Sequence, residues 1–225
     1  FVLFNTCVVR QGAEERAVAR LQRLKPVKAA RPGKILGVCG CLAQKDGEAL
    51  LDRLPFLDLV LGTRALPHLP AMLRSIEETG RPAIRAELEG DPFDSAYAAA
   101  RQGDVVGRVN VIYGCDNFCS YCIVPYTRGR ELSRPVEHVL RDARAAVGEG
   151  CKEILLIGQN VNSYRDGATG LPELLRLVAG VKGVQRLRFV TSNPRDAGES
   201  LFRAMADLPA VCESLHLPVQ SGSDR

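Results

Sequence analysis

Short apolar runs alternate with amphipathic stretches along most of this chain, and that alternation limits the fold more than any other feature. FVLF is followed by GAEERAVARLQRLK, in which Ala17, Leu21 and Leu24 recur at near-helical spacing while arginines and glutamates take the other faces. Pro26 is expected to stop this helix. KILGV reads as a second strand, DGEALLDRL as a helix opened by Asp46, LDLVLG as a third strand, and LPHLPAMLRSIEETG as a helix closed by Gly80. Strand and helix in strict succession point to a parallel α/β layer, because right-handed crossovers cover both faces of such a sheet. Residues 1–80 are the expected first domain.

Residues 81–103, RPAIRAELEGDPFDSAYAAARQG, hold no sustained period and mix proline, glycine and charge, which reads as a linker. Residues 104–225 resume the alternation. DVVGRVNVIYG reads as a strand, and PVEHVLRDARAAVGEG as a helix with Val136, Val139, Leu140, Ala143 and Val147 on one stripe. EILLIG, LPELLRLVAG, RLRFVT, a helix near Ala197 to Leu208 and a last strand ESLHLP follow. The expected fold class is α/β: a parallel-sheet domain, then the front of a TIM-like (βα) barrel cut off before it closes.

Hydrophobic residues make up 46% and charged residues 25% of the 225, which excludes a disordered or low-complexity chain. The longest apolar runs are strand-sized, so no membrane span is expected. The chain opens on Phe1 without the basic flank of a secretory signal and stops on VQSGSDR, so we read it as a segment of a longer cytoplasmic protein. A net charge of +4 is too small to argue for nucleic acid by itself. Eight cysteines are more than casual usage and too few for a disulfide scaffold of this length, and in a reducing compartment such clusters more often hold metal.

The strongest local signal is GCDNFCSYC, with Cys115, Cys119 and Cys122 spaced C-x3-C-x2-C directly after a predicted strand. Three thiolates on one short loop can wrap one face of an iron–sulfur cube and leave one iron open to substrate or cofactor. A structural zinc knot is the alternative, but zinc wants a fourth ligand and no second cysteine pair follows; His138 sits in the helical pattern.

CxxxCxxC with Tyr121 before its last cysteine resembles the signature of radical S-adenosylmethionine enzymes. The longer string GCDNFCSYCIVPYTRGRELSRP is similar to the methylthiotransferases among them, the MiaB-type tRNA enzymes in particular. NTCVVRQGAEERA, GVCGCLAQ, LLIGQNVNSY, RLRFVTSNPRD and LHLPVQSGSDR extend the resemblance over essentially the whole chain. It implies that Cys115, Cys119 and Cys122 hold a 4Fe-4S cluster whose free iron binds S-adenosylmethionine. It also implies a second, auxiliary 4Fe-4S cluster held by Cys7, by Cys41 and by a third cysteine before Phe1. The implied reaction adds a methylthio group to C2 of N6-isopentenyladenosine beside the tRNA anticodon, in a monomer fed by a flavodoxin or ferredoxin. The family's C-terminal RNA-binding module lies outside this segment.

The resemblance further places the methionine end of the cofactor at Gly158, Gln159 and Asn160, where simple turn chemistry is the competing reading. It places adenine near the backbone of Tyr121, a residue that packing alone also explains. Arg128, Arg130 and Arg134 are candidates for RNA phosphate, against the commoner solvated charged face. TSNP departs from the TSHP of many relatives, and His216 is as consistent with packing as with chemistry. Cys39, Cys151 and Cys212 carry no chemical assignment. The rival targets are threonylcarbamoyl-adenosine in tRNA and an aspartate of a ribosomal protein; the rival from another class is a non-catalytic metal-binding module.

Overall fold

The computed structural model describes residues 1–9, 11–90, 92–93 and 103–222. Over these residues the chain divides into two compact units. The first holds the chain up to Phe93 together with Ser120–Gly129, and the second holds Gly103–Cys119 and Arg130–Gly222.

In the first unit β1 (Val2–Thr6), β2 (Leu36–Gly40), β3 (Leu59–Leu61) and β4 (Ala83–Arg85) form one sheet in that order, every neighbouring pair parallel. Around it run α1 (Gln11–Gln22), α2 (Lys25–Ala30), α3 (Cys41–Asp46), α4 (Ala49–Arg53), α5 (Leu69–Thr79) and α6 (Val124–Arg128). The strand pleat sends alternate residues to opposite faces. Leu36, Val38 and Val60 join Leu21, Leu42 and Leu50 in one apolar cluster, whereas Leu59 and Leu61 join Met72 and Ile76 in another. A sheet buried on both faces is what the parallel reading requires.

Three expectations for this unit change. Pro26 does not end a helix; α1 stops at Gln22, and Pro26 sits in the first turn of α2, where its missing N–H has no intrahelical partner to lose. Asp46 does not open a helix but ends α3, and Gly47, at φ 51°, separates it from α4. Ala83–Arg85, inside the stretch read as linker, is the fourth strand; residues 91 and 94–102 of that stretch lie outside the described residues. Gly80 closes α5 in the left-handed conformation, as expected.

In the second unit β5 (Val106–Asn110), β8 (Glu153–Ile157) and β11 (Arg186–Phe189) form a parallel sheet in which β8 is central. Between them lie β6 (Ile112–Tyr113) paired antiparallel with β7 (Leu132–Ser133), α7 (Val136–Gly148), the short pair β9 (Arg165–Asp166) and β10 (Thr169–Gly170), and α8 (Leu171–Ala179). α9 (Glu199–Asp207) follows β11. Sequence-consecutive parallel strands lying side by side are the repeat of a βα barrel. One apolar cluster joins Val139, Leu140 and Ala143 of α7 with Ile154 and Leu156 of β8 and Leu174, Leu175 and Val178 of α8.

ESLHLP is not a strand. One isolated parallel bridge, Val211 to Leu187, sets the chain beside β11, and no ladder follows. Pro209 precedes the bridge and Pro218 ends the segment, and neither can donate to a ladder.

At the N-terminal end of the second sheet Glu153 is buried and receives Arg186 Nε at 2.9 Å and Arg188 Nε at 2.6 Å. Burial alone would raise its pKa, but the two arginines outweigh it and the net shift is downward. Its folded pKa therefore lies below the unfolded value of about 4.3, so the stabilisation is complete above that value and is lost as pH falls through the folded one. Both arginines are partly solvated and can rehydrate, so Glu153→Ala should cost about 2 kcal/mol at pH 7, less than a fully buried pair. Urea unfolding at pH 7 and at pH 3 checks this: the gap between variant and parent should narrow in acid.

Candidate functional site

The cysteine loop begins where β6 ends. Cys115 is buried, Cys119 and Cys122 are half-buried, and none of the eight cysteines is in a disulfide. Phe118 takes a left-handed φ of 46°, uncommon for a residue with a side chain. The division between the units falls inside this loop, after Cys119. Among the described residues no three His, Cys, Asp or Glu side chains are grouped as a metal ion would need.

Within the second unit the start of the loop is tied down on both sides of Cys115. The Gly114 N–H donates to Gln159 Oε1 at 2.7 Å, which links the loop to the end of β8. Asp116 accepts Arg130 Nε at 2.7 Å, Arg130 Nη2 at 3.0 Å and the Glu131 N–H at 3.1 Å. Gly158 packs so closely on β6 that a Cβ there would lie 2.7 Å from the Ile112 carbonyl oxygen. Asn160 is buried; its Nδ2 donates to Asp196 Oδ2 at 2.8 Å, and its Oδ1 has no hydrogen-bond partner among the described residues. Ser192 Oγ, beyond the end of β11, is in the same condition.

The other sequence candidates separate clearly. Arg134 is not part of a solvated face: its side chain is 11% exposed and donates to Asp142 Oδ2 at 2.7 Å and to the Asn110 carbonyl. Arg130 is exposed but committed to Asp116. Arg128, half-buried at the end of α6, lines a cleft of about 170 Å³ in the first unit with Asn5, Cys39, Gly62 and Thr63. Tyr121 is 66% exposed. His216 accepts the Thr191 N–H on Nδ1 at 3.3 Å, and Asn193, in TSNP, accepts the Arg195 N–H and so starts a helical turn.

Glu131, Ser163 and Asp196 were not singled out by motif. Burial raises the pKa of the Glu131 carboxyl, a hydrogen bond with Ser163 opposes this, and the charges of Asp116 and Asp196 add to the rise. Tyr164 is buried and donates to the Arg134 carbonyl at 2.7 Å; burial pushes its hydroxyl pKa well up. A cleft of about 370 Å³ opens beside Ser163, Arg165, Asp196 and Ser200.

In the first unit the β1–β2 register pairs Thr6 with Gly40, so Cys7 and Cys41 each follow the end of neighbouring parallel strands. Cys7 is exposed and Cys41 is buried. Thr6 Oγ1 donates to the Cys39 carbonyl at 2.6 Å and accepts the Leu42 N–H at 3.3 Å, which stitches the two strand ends together. Gly40 is required here: its φ is 89°, and a Cβ would come 2.5 Å from the Thr6 carbonyl.

Residues 109–225 match the family model described as the Radical SAM superfamily, and residues 1–62 match that described as Uncharacterized protein family UPF0004. The chain belongs to the radical SAM superfamily. Among curated relatives, a tRNA-2-methylthio-N(6)-dimethylallyladenosine synthase of Citrifermentans bemidjiense is 46% identical over the whole of this chain and 52% of its own length. One of the same name from Syntrophotalea carbinolica is 45% identical over 99% of this chain and 52% of its own. This radical SAM chain thus spans about half the length of the curated relatives it matches. The solved radical S-adenosylmethionine methyltransferase TsrM of Kitasatospora setae shares its fold at a TM-score of 0.62 and 15% identity, over 96% of this chain and 48% of that one.

Membership in the radical SAM superfamily implies a 4Fe-4S cluster and S-adenosylmethionine. The donor chemistry fits: three cysteines within one loop, none of them in a disulfide, are the soft ligand set that such clusters take. No helix among the described residues is long and apolar enough to cross a membrane.

Proposed function

We propose that the full-length protein transfers a methylthio group to C2 of N6-dimethylallyladenosine beside the anticodon of tRNA. The observation that carries this reading is similarity over the whole chain, at 44–46% identity, to several relatives named for that product. In this reading the methylthiotransferase domain runs from residue 1 through β4 (Ala83–Arg85), and residues 104–225 carry the front of the radical SAM core. Cys115, Cys119 and Cys122 hold the radical cluster, and Cys7 and Cys41 hold an auxiliary cluster with a ligand supplied from outside this segment. When bound, the first cluster and S-adenosylmethionine supply the carbon radical that takes hydrogen from an unreactive aromatic carbon.

The chain's own residues position and shield. Gln159 holds Gly114 and with it the start of the cysteine loop. The buried acceptor of Asn160 is available to a donor on the cofactor, and Tyr121 lies in the loop at the place proposed for adenine. Arg128 is the remaining basic candidate for RNA phosphate. The protein works as a cytoplasmic monomer with an external one-electron donor of the flavodoxin or ferredoxin type.

Full-length enzyme offered three substrates tests this: tRNA carrying dimethylallyladenosine, tRNA carrying threonylcarbamoyl-adenosine, and ribosomal protein. Methylthiolation of the first alone is expected. Product on either of the others alone overturns the substrate assignment, and an enzyme that binds iron but cleaves no S-adenosylmethionine points to a non-catalytic metal-binding module.

A further inference from the structure

We propose that Asp116 and Arg130 form a clasp that closes the cysteine loop, which makes Arg130 a positioning residue for the iron–sulfur centre and not a contact to RNA. The inference rests on the reading of this loop as a cluster site. Asp116 directly follows Cys115, and Arg130 lies 14 positions further on, so the pair brackets the stretch that carries Cys119 and Cys122. Both carboxylate oxygens are used: Nε meets Oδ1 at 2.7 Å and Nη2 meets Oδ2 at 3.0 Å, the fork geometry in which arginine is strongest and most directional. The Glu131 N–H adds a third donor to Oδ1 at 3.1 Å, so the backbone on the return side is held as well as the side chain.

An exposed ion pair ordinarily contributes little, and Arg130 is 77% exposed. Position makes this one different. Both partners belong to the second unit, and their pairing closes a chain loop of 14 positions, so it removes open conformations from the stretch between them. That segment contains the left-handed Phe118, a conformation that persists only where its surroundings hold it. With Gly114 tied to Gln159 on one side and Asp116 tied to Arg130 on the other, the backbone on either side of Cys115 is restrained before any ligand binds. Partners that orient a metal's ligands in this way are worth about tenfold or more in metal affinity.

The test uses the full-length protein as wild type, Asp116→Asn, Arg130→Gln, Arg130→Lys and the double variant Asp116→Asn with Arg130→Gln. Amide hydrogen exchange on metal-free protein should rise about fivefold over residues 117–129 in Asp116→Asn and Arg130→Gln, and the double variant should be no faster than either. After anaerobic reconstitution, a chelator should strip iron about tenfold faster from both, with Arg130→Lys between them and the wild type. Affinity for tRNA at fixed salt should be unchanged. Arg130→Gln that exchanges and holds iron like wild type, or single effects that add in the double variant, would overturn the clasp; weaker tRNA binding by that variant alone would reassign Arg130 to RNA. The underlying reading fails separately, if reconstituted wild type holds iron yet cleaves no S-adenosylmethionine.

Discussion

Cys119→Ala in the full-length enzyme should abolish reductive cleavage of S-adenosylmethionine, lowering 5′-deoxyadenosine formation by roughly a thousandfold or more, as loss of an essential member of a catalytic unit does. Cys119 is the middle thiol of the C-x3-C-x2-C loop, and an alanine there leaves two ligands where the cluster takes three. It is half-buried on a loop, so its removal opens no large cavity and the variant should fold. Cys212→Ala is the matched control: it is also half-buried and lies outside the loop, and it should keep wild-type cleavage. Cleavage that survives in Cys119→Ala would exclude this loop as the seat of the radical chemistry.

The second large effect is expected from a single methyl group. Gly158→Ala places a Cβ 2.7 Å from the Ile112 carbonyl oxygen, closer than real Cβ atoms approach, and the atom it meets is backbone that cannot turn aside. The end of β8 must move from β6, at a cost of about 3 kcal/mol by analogy with overpacked cores. For a chain of this size that lowers Tm by about 10 °C. The next residue is Gln159, whose Oε1 holds the Gly114 N–H, so the displacement passes straight to the cysteine loop and cluster retention should fall as well. Gly148→Ala is the contrast. It ends α7 with nothing within 4 Å of the added methyl, and it should be neutral or stabilising by about 0.5 kcal/mol. Thermal melts of the three proteins decide; a Gly158→Ala variant as stable as its parent would mean that the β6–β8 approach is not tight in solution.

Much of this arrangement is legible along the chain because it is written in short-range spacing. Cys115, Cys119 and Cys122 share a loop by covalent connection alone, and the strand-helix period carries Cys7 and Cys41 to neighbouring strand ends, since each follows a strand of the same parallel sheet. Gly80 as a helix stop is local too. The misread boundaries are those where one residue type serves two purposes. Proline both ends helices and opens them, which moved the end of α1, and aspartate both caps helices and ends them, which hid α3.

What the sequence by itself determined, then, is the α/β class and the family resemblance, and it marked the cysteines proposed to hold clusters, through periods and motif spacings local to the chain. The tertiary structure alone decided how the charged and polar residues are used. Arg130 and Arg134 look alike in RGRELSR, yet one pairs with Asp116 at the mouth of the cysteine loop and the other is half-buried and pairs with Asp142. Gly158 and Gln159 read as a cofactor motif or a turn, and folding gives them a backbone approach to Ile112 and a hold on Gly114. Glu153 carries no motif and becomes the buried partner of Arg186 and Arg188 through cross-strand register. The physical reason is the same in each case. Backbone periodicity is a property of neighbours in the chain, whereas an ion pair or a close contact depends on which distant group folding delivers within about 3 Å.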